Sequence, residues 1–262
     1  MKALRLLPLC GLLLLAHPAC ARPAADRDIL FQVSTIDALM SGLFDGVLSV
    51  KELKRHGDFG VGTFDALDGE MVMLEGRAWQ VASDGVARRV EDARLTPFAA
   101  VTFFDRDQTA KIEQELDLKA LSAYLDSLLT TKNVFCAIRL DATFAYVKTR
   151  SVPRQTKPYP TLAQVAAHQP TFEFSDVRGT IVALRCPYFV AGANVPGYHF
   201  HFIDEQRTRG GHLLECRLTN GTVSLDLTPD FTLRLPQTPE FYRQPLGPDS
   251  GQGLEKVEKG SR

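Results

Sequence analysis

Gly197-Tyr198-His199-Phe200-His201-Phe202-Ile203-Asp204-Glu205-Gln206-Arg207-Thr208-Arg209-Gly210-Gly211-His212-Leu213-Leu214-Glu215 decides the fold. From Tyr198 to Phe202 aromatic residues alternate with histidines, which is the period of a strand, so His199 and His201 share one face and the aromatics the other. The polar stretch after Ile203 ends in Gly210-Gly211 and is a loop that returns the chain as an antiparallel partner, bringing His212 across from the pair. Three neutral imidazoles on such a hairpin form a ligand set for zinc or a similar divalent ion, with a coordination position left for substrate. The plainer alternative is a hydrogen-bonded strand pair with an unrelated surface histidine. His56 and His168, in polar contexts, read as surface residues.

Working outward, most of the chain has the same character. Gly60 to Leu67, Glu70 to Leu74, Ala78 to Ala82, Ala99 to Phe104, Val134 to Thr149, Phe172 to Leu184, Tyr198 to Ile203, His212 to Leu218, Thr222 to Leu227 and Phe231 to Leu235 are rich in Val, Ile, Phe, Tyr and Thr and read as strands. Asp68-Gly69 and Asn220-Gly221 are dipeptides favoured in two-residue hairpin turns, which makes the sheets mostly antiparallel. The spacing of Ile112, Leu116, Leu121, Leu125, Leu128 and Leu129 predicts an amphipathic helix from Ile112 to Leu129. Shorter helices are expected at Thr35 to Met40, Val50 to Lys54 and Thr161 to Ala167. Strands with a few segregated helices define an α+β protein. A boundary between the helix ending near Thr131 and the Pro-rich run Val152 to Pro160 suggests two sheet domains, residues 22–131 and 132–235, the second carrying the histidine hairpin. Residues 236–262 have the composition of a loose arm.

The 262 residues are 45% apolar and 23% charged, which excludes disordered, collagenous and coiled-coil classes. Thirty basic residues against 31 acidic ones leave no excess for a polyanion, so a nucleic-acid partner is not expected. Lys2 and Arg5 precede an apolar run from Leu6 to Ala16 that is too short to span a bilayer, and Ala19-Cys20-Ala21 follows it. That is the form of a secretory signal cleaved after Ala21, giving a secreted or periplasmic mature chain. The rival is a lipid anchor at Cys20, against which stands His17 where a leucine is expected. Without the leader, Cys136, Cys186 and Cys216 remain, an odd number in strand-like contexts, so no disulfide framework is expected.

His-x-His followed by Glu205 also fits a cupin, a class that binds iron or manganese through two histidines and a glutamate. Glu205 falls in the loop, however, with Arg207 and Arg209 ready to pair with it. A third possibility is a non-catalytic extracytoplasmic metal-binding module.

Several motifs together carry a family resemblance. Gly60-Val61-Gly62-Thr63-Phe64-Asp65-Ala66-Leu67-Asp68-Gly69-Glu70-Met71, then Thr149-Arg150-Ser151-Val152-Pro153-Arg154-Gln155 with Lys157-Pro158-Tyr159-Pro160, then the histidine hairpin, resemble the α-acetolactate decarboxylases of bacterial acetoin production. The resemblance spans nearly the whole mature chain. It implies a zinc enzyme with an α+β fold of two related sheet domains, usually dimeric, that converts (S)-2-acetolactate into (R)-acetoin and CO2. It implies zinc ligands at His199, His201 and His212, site residues at Glu70, Arg150 and Thr63, and a further glutamate from a tail that folds back toward the site, Glu258 in preference to Glu255. These residue types suit the chemistry. A Lewis acid stabilises the enediolate left by CO2 loss, an arginine orients the carboxylate, and a carboxyl with raised pKa protonates the carbon. Taken without the resemblance, Glu70 could be a solvated turn residue, and Arg154 could stand in for Arg150.

Overall fold

The computed structural model describes residues 27–247, 250–251 and 253–259. The expected leader, residues 1–21 with Cys10 and Cys20, lies outside them. Turn residues and alternating apolar positions give β1 (Ile29–Val33), α1 (Ile36–Met40), β2 (Leu48–Ser49), α2 (Val50–Leu53), β3 (Phe59–Thr63), β4 (Glu70–Leu74), β5 (Arg77–Val81), β6 (Ala87–Arg89), β7 (Leu95–Thr96) and β8 (Ala99–Thr102). There follow β9 (Gln108–Ile112), β10 (Leu116–Asp117), α3 (Leu118–Leu128), β11 (Phe135–Arg150), α4 (Leu162–Ala166), β12 (Thr171–Cys186), β13 (Gly197–Asp204) and β14 (Gly210–Thr228). The last described elements are β15 (Asp230–Arg234), α5 (Pro239–Arg243) and α6 (Leu254–Lys259).

Seven strands form one sheet in the order β15-β1-β8-β3-β4-β5-β6, antiparallel throughout except where β15 runs parallel to β1. A second, six-stranded sheet is built on β11, β12, β13 and β14, with β9 and β10 added along β14. The start of β14 pairs with β13 and the rest of it with β11, so these four strands close into a ring. That closure positions the site, because His201 pairs with His212 and His212 pairs with Arg150. Paired residues point to the same face, so all three side chains project together.

The two sheets pack face to face, Val61, Val72 and Ala100 of the first meeting Ala137, Val182 and Leu184 of the second. On the other face of the second sheet, α3 lays Leu121 and Leu125 against Ile138, Leu140 and Leu225. Full burial of each such leucine contributes roughly 1.5–3 kcal/mol. α1, α4 and α6 meet in a separate cluster around Leu39, Leu162, Val165 and Val257. There the tail's single well-buried valine anchors α6 beside the histidines.

Three expectations are corrected. The helix begins at Leu118, capped by Asp117, whose side chain accepts from Ala120 N; Ile112 is instead the end of β9, paired with Gly221. Asn220-Gly221 is no turn, since β14 runs straight through it. A Cβ at Gly221 would lie 2.7 Å from the Ala142 Cβ, so glycine serves close strand packing there. The sheets also do not divide between residues 22–131 and 132–235. β15 joins the first sheet, while β9 and β10 join the second. The end of a helix and a Pro-rich run suggested the boundary, but strand pairing follows edge complementarity, which neither signal reports.

Candidate active site

Glu70 begins β4, opposite Thr63 at the end of β3, and both are buried. The loop joining these strands is wider than a two-residue turn. It contains a 3-10 segment, Asp65–Leu67, in which Ala66 has φ 59°, and Gly69 has φ 83°. Thr63 Oγ1 donates to Gly69 O at 2.7 Å, which braces the loop and leaves only the hydroxyl lone pairs free to meet a substrate. Thus Thr63 helps set Glu70 in place.

The three histidines are buried, and their ligand nitrogens all lie within 4.8 Å of one another. Burial, then the nearby positive charge of Arg150, lowers His199 to about 3. Burial also holds His201 and His212 well below the usual histidine range, so all three imidazoles are neutral and carry lone pairs. His201 Nδ1 donates to Met71 O of the first sheet at 2.7 Å, which turns its Nε2 lone pair toward His199 Nε2, 3.1 Å away. His212 Nε2 donates to Glu258 O at 2.8 Å, so it must pass its proton to Nδ1 to act as a ligand through that atom.

Glu258 arrives on α6. Its Oε2 is buried without a hydrogen-bond partner among the described residues and lies 3.8 Å from His199 Nε2 and 3.9 Å from His212 Nε2. Glu70 Oε2 lies 3.5 Å from His201 Nε2. An orphaned buried carboxylate oxygen beside three neutral imidazoles is unfavourable alone and favourable around a divalent cation, so these residues fit one. Desolvation raises both carboxyls to about 7. Arg150 opposes the rise at each, and Glu258 adds to it at Glu70. Glu255, on the same helix, is exposed.

Arg150 is 3% exposed. Its Nη1 donates to Gln169 Oε1 at 2.8 Å and lies 3.5 Å from Glu70 Oε1, while Nε is buried with no partner among the described residues. Arg154 is half-exposed and pairs with Asp65 at 3.3 Å and Asp68 at 3.5 Å, so it is no substitute. The cupin expectation loses its glutamate. Glu205 is exposed and pairs with Arg178 at 3.7 Å, whereas Asp204 holds Arg209 at 3.2 Å and organises the loop. Sequence reasoning missed Asp204 and Gln169. Nothing in composition marks a lone glutamine before a proline, although Gln169 lies two residues ahead of Thr171, the partner of Arg150. Cys136, Cys186 and Cys216 are free and buried, as expected.

Two face-packed sheets with a buried three-histidine, two-carboxylate, one-arginine cluster at the ring closure define an α+β protein whose site can hold a metal ion and a small anionic ligand. Residues 30–248 match the family model for alpha-acetolactate decarboxylase. The chain is 50% identical over 232 residues to an alpha-acetolactate decarboxylase of Methanosarcina mazei, covering 88% of this chain and 81% of that protein. It is 44% identical to that of Methylococcus capsulatus over 87% of this chain and 88% of the relative. The crystal structure of the Bacillus subtilis enzyme superposes with a TM-score of 0.86 at 39% identity, covering 89% of this chain and 100% of that one. The chain belongs to the alpha-acetolactate decarboxylase family.

Proposed function

We propose that this chain catalyses the zinc-dependent decarboxylation of (S)-2-acetolactate to (R)-acetoin and CO2. The observation that carries the reading is the unpartnered, buried Nε of Arg150 beside three neutral imidazoles and two carboxyls held near pH 7. In the reaction the bond between the hydroxyl-bearing carbon and the carboxylate breaks. Its electron pair moves into the neighbouring ketone, and a proton returns to the carbon on one face. His199, His201 and His212 would hold the ion, which would supply a Lewis acid to stabilise the negative charge that develops on the ketone. Arg150 binds the carboxylate with a permanent positive charge and orients it for departure. Thr63 offers its hydroxyl lone pairs to the bound substrate. Burial favours the protonated forms of Glu70 and Glu258, and either is placed to deliver a proton from a fixed direction. The closed cluster limits access of bulk water, which would otherwise protonate both faces.

The test is a chiral assay of the purified mature chain with racemic acetolactate, before and after chelation and zinc restoration. Zinc-dependent (R)-acetoin supports the reading; no acetoin from a folded, zinc-loaded sample refutes it. The reading includes cleavage after Ala21, export and a homodimer. Amino-terminal sequencing of the exported protein and sedimentation check these directly.

A further inference from the structure

We propose that Gln169 is a positioning residue that fixes the carboxylate-binding fork of Arg150 and thereby favours substrates bearing that carboxylate. The inference rests on the carboxylate role of Arg150 proposed above. A guanidinium offers a side-on pair of donors, Nε–H and an Nη2–H, which match the two oxygens of a carboxylate. Gln169 Oε1 takes Nη1, at 2.8 Å, on the opposite edge. Nε is left buried without a partner, and no hydrogen bond from Nη2 exists among the described residues. Nη1 also lies 3.5 Å from Glu70 Oε1, so Gln169 and Glu70 together fix that end of the guanidinium and leave Nε and Nη2 as the donors a carboxylate can take.

Gln169 is itself held from both sides. Behind it, Leu162 and Val165 of α4 are buried against Val257 and Leu67, and the helix start is closed by reciprocal bonds between Thr161 and Gln164. Ahead of it, Pro170 restricts the Gln169 backbone to extended conformations. Pro170 O also accepts from Ser151 N at 3.3 Å, which ties this turn to the residue after Arg150. The neutrality of the side chain matters as much as its place. A carboxylate at this position would orient the guanidinium equally well but neutralise it, weakening attraction for an anionic substrate; an amide orients it and leaves the charge available.

The experiment compares wild type, Gln169→Leu, Gln169→Glu, Arg150→Lys and the Arg150→Lys/Gln169→Leu double variant as zinc-loaded full-length mature proteins. Metal content and Tm are measured alongside KM and kcat for acetolactate and the inhibition constant of acetoin, which lacks the carboxylate. Gln169→Leu is expected to raise KM about tenfold, the worth of one hydrogen bond to a charged group, with kcat and the acetoin constant little changed. Gln169→Glu should also raise KM, and Gln169→Leu should add nothing in the Arg150→Lys background. An unchanged KM in Gln169→Leu, or a KM and an acetoin constant that rise by the same factor, overturns the proposal. So does wild-type KM in Gln169→Glu, the variant that keeps the loop intact if the leucine variant does not fold. If wild type fails to turn over acetolactate, or Arg150→Lys is indistinguishable from it, the underlying reading is what has failed.

Discussion

Asp226→Asn should stabilise the fold at pH 8 much more than at pH 5. Asp226 lies on β14, 1% exposed; Oδ2 accepts from Asp105 N at 3.1 Å, and Oδ1 has no partner among the described residues. Desolvation raises it from 3.8 to about 7, against the backbone hydrogen bond, with the charges of Asp107, Asp28 and Asp105 adding to the rise. Because the folded pKa lies above the unfolded one, the folded chain holds the extra proton between those values. The associated stability is complete below pH 3.8, declines as pH rises, and is gone once pH has passed through about 7. From pH 5 to pH 8 the loss amounts to on the order of 2–3 kcal/mol. Asparagine keeps an oxygen for Asp105 N, places an N–H₂ where Oδ1 has no donor, and does not titrate. Thermal melts of chelated wild type and variant should therefore diverge by roughly 5–10 °C more at pH 8 than at pH 5. A difference in Tm that is the same at both pH values would refute the assignment of a raised pKa to Asp226.

Arg150→Lys keeps a positive charge but loses the planar fork, and leaves Gln169 Oε1 without its guanidinium partner. It should lower kcat/KM about a hundredfold at unchanged metal content, as measured by steady-state kinetics and metal analysis. Truncation after Gly247 removes Val257 from its core cluster and Glu258 from the histidines. Acetoin formation should fall to background with the sheets still folded by circular dichroism, and undiminished activity would take Glu258 out of the mechanism. Burial raises Cys136, Cys186 and Cys216 to about 12, so the native chain from residue 22 onward should not react with a thiol reagent at pH 8, and the same chain denatured should titrate all three.

The strand content, the antiparallel sheets and the histidine hairpin were legible in the sequence because side-chain alternation is a local signal. His199, His201 and His212 converge as their spacing requires, and Glu70 and Arg150 join them where the motifs of the family resemblance placed them. What was not legible is non-local. The pairing of β15 with β1 depends on an edge some two hundred residues away in the chain, and Gly221 resembles a turn residue until Ala142 is seen against it. Gln169 has no chemical signature of its own; its interest comes only from the Arg150 guanidinium, reached through the β11–β12 pairing. Asp204 falls in the polar stretch that reads as a loop, and only burial reveals that its carboxylate gathers the Thr208 and Arg209 amides.

The parallel pairing of β1 with β15 has a consequence for how the molecule is made. As the chain leaves the ribosome, the strand that lies beside Ile29–Val33 at the border of the first sheet is the last strand to emerge. Until residue 234 is out, β1 has an uncovered edge, able to pair with whatever extended peptide is nearby. The first sheet cannot be completed domain by domain in the order of translation, and its exposed period lasts while some two hundred further residues are made. Holding the chain unfolded until it is whole, by a chaperone or by passage through a translocon, would remove that hazard.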